Sequence, residues 1–121
     1  MYKIIFYTDK NGKSDLLDYI NKLRSKKENK ESRIKLNKIT AYINQLAKNG
    51  LSIGKPYIKH IEDDIWELRP LRDRIFFSDW NKNEFILISN FIKKTQKTPK
   101  KEIEKAKRLL KEYKERGNFD E

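Results

Sequence analysis

The sequence predicts an α+β fold, and three observations carry that expectation. Two amphipathic helical patterns follow one short N-terminal strand pattern. Four β-rich segments then succeed one another between residues 57 and 92, joined by connections of hairpin length. A last helical stripe follows. Helices segregated in sequence from a strand meander pack against one sheet rather than alternate with its strands. The order β-α-α-β-β-β(β)-α is therefore expected to lay two antiparallel helices on one face of a mainly antiparallel sheet of four to five strands. The opposite face is expected to be free to host a site. The 121 residues suffice for one domain, 1–121, with a modest core.

Each element has a local signal. "YKIIFYT" (2–8) is aromatic and β-branched, and "DKNG" behind it is a turn. Ser14 followed by Asp15 reads as an N-cap with an acid in the first turn, and Leu16, Leu17, Ile20 and Leu23 then share a helical face. The polar run "RSKKENKESR" (24–33) is a hinge between two helices or their merged ends. Leu36, Ile39, Tyr42, Ile43 and Leu46 repeat at helical spacing until Asn49 or Gly50 supplies a left-handed stop.

"YIKHIE" (57–62), "IWELRP" (65–70), "RIFFSDW" (74–80) and "EFILISNFI" (84–92) read as strands paired antiparallel in sequence order. The first strand must join their sheet, because alone it could not satisfy its backbone groups. Thr98 is expected to cap the final helix with Pro99 at its first position, and Ile103, Ala106, Leu110 and Tyr113 form its stripe to about Gly117.

Composition narrows the partners. A net charge of +11 favours a polyanion, either nucleic acid or an acidic protein. The absence of cysteine excludes a disulfide scaffold, a thiolate zinc site and a Cys nucleophile. The longest apolar runs are far too short for a signal peptide or a membrane span, so the expected location is cytoplasmic with no membrane partner. No metal-binding or nucleotide-binding motif is present, and no cofactor is expected.

Alternation sorts the strand residues by face. Glu67 and Arg69 share a face with Ile65, while Trp66 and Leu68 point to the core; within the next strand Arg74, Phe76 and Ser78 share a face. Arg69 can simply pair with Glu67, and Arg74 can be a solvated edge charge. Clustered cations also suit metal-free RNA cleavage, in which the substrate's own 2′-hydroxyl attacks the adjacent phosphate. That reaction needs a base, an acid and positive charge where the phosphorane develops. Arginine matches phosphate oxygens in pairs. Lysine serves as a base only where desolvation or like charge lowers its pKa. His60, the single histidine, is the one side chain titrating near neutrality without special help, and stands as a candidate acid or base.

The block "DIWELRPLRDRIFF", followed by "ILISNFIKKTQKTPKKEIEKA", resembles the HigB-like, phage-derived branch of the RelE/ParE toxin superfamily. The likeness covers roughly residues 57–116, and the N-terminal strand and helix pair follow the family order loosely. It implies a RelE-like fold and a type II toxin. Such a toxin is a metal-independent, ribosome-dependent endoribonuclease of translated mRNA. A helix-turn-helix antitoxin, which also binds operator DNA, restrains it. By motif position, Arg69 and Arg74 would hold the scissile phosphate and Lys94, with Lys93 beside it, would stand near the reaction. Lys97, Lys59 and Arg72 are further candidates for substrate binding. Phe77 stands where many relatives carry tyrosine, and Tyr113 is a candidate substitute, with core packing the stronger reading. A non-catalytic basic binding module and a ParE-like gyrase inhibitor remain alternatives on the same fold.

Overall fold

The computed structural model describes residues 1–117. Strand β1 (Lys3–Phe6) leads to helices α1 (Asp15–Ser25) and α2 (Lys30–Asn49), and a 3-10 turn over Gly50–Ile53 follows. Strands β2 (Ile58–Glu62), β3 (Ile65–Leu68), β4 (Asp73–Asn81) and β5 (Glu84–Ile92) come next, then α3 (Lys100–Gly117). The sheet order is β1-β5-β4-β3-β2, with β2 to β5 an antiparallel meander and β1 parallel to β5. The α+β expectation holds, and the first strand joins the sheet as backbone pairing demands.

Local chemistry accounts for the helix ends. The Ser14 hydroxyl accepts the Leu17 N–H at 3.2 Å and starts α1. The polar run between the helices breaks at Lys26–Asn29, where the Asn29 side chain accepts the Ser32 N–H at 3.0 Å. Gly50 stops α2 at φ 65° and ψ −153°, a region essentially confined to glycine. A Cβ there would sit 2.6 Å from the Tyr2 ring, which is itself packed on Phe85 at 5.1 Å between centroids. Gly50→Ala is accordingly expected to cost about 2–3 kcal/mol from backbone strain and overpacking together, read as a lower denaturation midpoint.

Both sheet faces are covered, and this corrects the expectation of a free face. Leu16, Ile20, Leu23, Ile39 and Leu46 of α1 and α2 pack on Leu68, Ile75, Phe77, Phe85 and Leu87. On the other face Ile103, Ala106 and Leu110 of α3 pack on Tyr7, Ile65, Phe76, Ile86 and Ile88. The stripe on α3 was visible in the sequence, but which face it would cover was not. Next to the β5–α3 loop a cleft opens, lined in part by Arg74, Lys93 and Lys94.

Asp73 links the layers. Its carboxylate accepts the Tyr19 hydroxyl at 2.7 Å, tying α1 to β4. Burial pushes the Asp73 carboxyl upward, against the pull of Tyr19, Lys35 and Arg74. A raised folded pKa means the folded state holds this proton more tightly than the unfolded chain. The group's contribution to stability therefore falls as pH rises from the unfolded value of about 3.9 through the folded one. Asp73→Asn keeps an acceptor for Tyr19 and removes the titration. The expected result is a flatter stability profile as pH rises above the unfolded value of about 3.9, with no loss at neutrality, in thermal melts across a pH series.

Candidate functional site

The site is built around a buried carboxylate. Glu67 on β3 lies opposite Phe76 of β4, so its side chain points to the α3 face, where only 2% of it is exposed. Its Oε1 lies 3.4 Å from Arg69 Nε and 3.8 Å from Arg74 Nε. Its Oε2 accepts the Thr98 hydroxyl at 3.2 Å. Thr98 therefore does not cap α3 with its side chain as expected; the Pro99 carbonyl instead accepts from Glu102 and Ile103, and the helix begins at Lys100. One carboxylate thus gathers residues from β3, β4 and the β5–α3 loop.

The arginines are held differently. Arg74, with 9% of its side chain exposed, donates through Nη1 to the carbonyls of Leu71 and Asp73, each at 2.8 Å. Arg69 is 26% exposed, and among the described residues its guanidinium makes no hydrogen bond. Neither Nε makes a hydrogen bond, so the contacts with Glu67 are ion pairs without directed bonding. Burial first, then the adjacent Arg69 charge, pushes the Arg74 guanidinium down, while Glu67 and Asp73 work the other way. Two guanidinium charges against one carboxylate leave a net positive charge in a partly desolvated place, where an arriving anion gains most.

A cleft of about 470 Å³ opens beside this pair, lined by Arg72, Arg74, Lys93, Lys94, Thr95 and Gln96. Backbone pairing continues past the end of β5: the Lys93 N–H donates to the Arg72 carbonyl at 2.8 Å, and Arg72 Nη2 donates to the Lys93 carbonyl at 3.2 Å. Lys94 is exposed and lines this cleft as well as a neighbouring one shared with Tyr19 and Pro99. The fold thus brings Arg72, Arg74, Lys93 and Lys94 to one cleft, and Arg69 and Arg74 to one carboxylate.

The remaining candidates fall elsewhere or at the margin. Lys59 stands opposite Glu67 across the β2–β3 ladder, exposed on the edge strand. Lys97 is exposed in the loop, where its carbonyl accepts the Thr95 hydroxyl at 3.0 Å. His60 is not brought to the cluster. It pairs with Trp66, which packs in the α1–α2 layer, ring against ring at 4.9 Å, and its Nε2 lies 2.8 Å from the Asp63 carbonyl. A strand residue one step out of phase with Glu67 and Arg69 necessarily points away from them.

Two aromatic positions are also settled by geometry. Phe77 is fully buried on the α1–α2 face, so a hydroxyl there would not reach the arginines. Tyr113 packs on Tyr7 and Trp80 along α3 and belongs to the core. From the sequence alone Glu67 is a partner for Arg69 and nothing more. The signal that it joins both arginines is the β3–β4 register, which places Phe76 opposite Glu67 and Arg74 two residues before it.

The fold is α+β and consistent with the RelE-like architecture, with a cationic cleft at one end of its sheet. Residues 18–111 match the model of the phage-derived Gp49-like proteins (DUF891), and the chain belongs to that family, which is associated with RelE/HigB-type toxins. No curated protein matches the chain. Among the described residues no helix is long and apolar enough to cross a membrane.

Proposed function

We propose that this protein is the toxin of a type II toxin–antitoxin pair and cleaves translated mRNA on the ribosome without a metal. The observation that carries the reading is the convergence of Arg69 and Arg74 on buried Glu67 beside an open cleft edged by Lys93 and Lys94. Membership of a toxin-associated family supports it. In this reading the substrate 2′-hydroxyl loses its proton and attacks the adjacent phosphorus. The bond from phosphorus to the 5′-oxygen breaks, leaving a 2′,3′-cyclic phosphate and a protonated 5′-hydroxyl. The guanidinium donors neutralise the equatorial oxygens as charge develops on them. Lys94 and Lys93 supply positive charge at the mouth, and Arg72, Lys59 and Lys97 extend it along the strand of RNA. The antitoxin is a helix-turn-helix protein that also holds operator DNA.

Induction of the chain alone is expected to arrest growth and to truncate translated mRNAs, mapped by sequencing RNA ends in arrested cells. Intact mRNA accompanied by gyrase-dependent DNA breaks would overturn this reading in favour of the gyrase-inhibitor branch.

A further inference from the structure

A second feature lies on the other side of Arg72. Apart from Met1, the exposed large hydrophobic residues among the described ones are Ile34 (45%), Leu71 (47%) and Ile92 (41%). All three line one groove of about 750 Å³ between the first turns of α2 and the ends of β4 and β5. Three such residues scattered over the surface would be ordinary; gathered in one groove they mark a contact surface. Leu71 adds an independent sign. It occupies φ 58° in the turn that the Asp73 N–H closes on the Pro70 carbonyl at 3.0 Å. That position suits glycine or asparagine, yet the chain places a leucine there and turns it to solvent.

The lining chemistry selects the occupant. Ile34, Leu71 and Ile92 are aliphatic, and among the described residues lining the groove there is no aromatic ring on which a nucleobase could stack. Aliphatic side chains spaced along one face of a helix would fit between them. The rim carries Lys30, Lys35 and Arg72, and its one acid, Glu31, is paired with Lys35 at 3.8 Å. The surplus positive charge calls for acidic residues along the helix margin. Arg72 lines both this groove and the arginine cleft, so an acid paired with it sits at the cleft mouth.

We propose that the groove docks an amphipathic helix of a partner protein, aliphatic toward Leu71 and acidic along its edges, and that the docked helix closes the cleft at Arg72. The closure rests on reading the cleft as the RNA phosphate site; the docking does not. The probe is a displayed library of helical peptides, panned on the full chain with aliphatic and acidic positions varied independently. Leu71→Asn suits the left-handed turn, so it removes the apolar side chain while thermal melts confirm an intact fold. Enriched peptides are expected to carry aliphatic residues three and four apart with flanking Asp or Glu. Their binding is expected to weaken about tenfold or more with Leu71→Asn and with Ile34→Ser. Peptides that bind Leu71→Asn as tightly as the parent, or a library that yields no aliphatic–acidic consensus, would overturn the docking. So would a single-stranded RNA whose affinity alone falls with Leu71→Asn. If a docked peptide leaves RNA cleavage unchanged, the closure fails while the docking stands. Cleavage absent from the parent chain itself would overturn the nuclease reading instead.

Discussion

Glu67→Ala is expected to cost the fold about 3–5 kcal/mol, among the largest losses available from one side chain. The carboxylate is almost wholly buried and faces two guanidinium groups. Removing it leaves Arg74 buried with no counter-charge on that face and also strands the Thr98 hydroxyl. Urea denaturation should show a lower midpoint at unchanged slope. Glu67→Gln keeps the shape and an acceptor for Thr98 but loses the charge, and should fall between alanine and the parent. The loss measures a broken pair, not the intrinsic worth of the ion pairs. Replacing Glu67, Arg69 and Arg74 together by leucine or methionine should recover much of the stability, because hydrophobic substitutes escape the desolvation cost. The same triple variant should be inactive. Recovered stability without activity would place the reason for these charges in function; a triple variant as unstable as Glu67→Ala would place it in folding.

How much of this was legible in the sequence depends on the range of the interaction. Helix starts at Ser14 and the stop at Gly50 are local, set by a hydroxyl three residues from its donor and by a conformation open to glycine. The strand faces followed from alternation, which put Trp66 and Leu68 toward one layer and Glu67 and Arg69 toward the other. What alternation could not give was register. Whether Arg74 meets Glu67 or solvent depends on how β3 slides against β4, a non-local choice fixed by the packing of Phe76 and Phe77 into opposite layers. The same limit governs His60, whose chemistry made it attractive while its strand phase turned it from the cluster. Thr98 shows a local rule overridden: its sequence position suits an N-cap, but the unpaired oxygen of a buried carboxylate takes the hydroxyl instead.

On the nuclease reading, Arg74→Lys is expected to lower RNA cleavage by about 10²-fold or more while leaving the charge of the cleft unchanged. Geometry separates the two cations. Arg74 holds the carbonyls of Leu71 and Asp73 with Nη1 and faces Glu67 with Nε, and among the described residues Nη2 has no hydrogen-bond partner to compete with a phosphate oxygen. A lysine ammonium has three donors at a single point and cannot reach these partners in the fixed plane of the guanidinium. Single-turnover cleavage, followed beside a thermal melt, tests this without confusing misfolding with lost chemistry. Because the charge is retained, the dependence of RNA affinity on salt should keep its slope. Arg72→Lys supplies the contrast. Arg72 is exposed and contributes chiefly charge at the mouth, so the same substitution there should cost less than about tenfold. Equal, small effects at both positions would mean that the cleft attracts RNA by charge alone and that Arg74 holds no scissile phosphate.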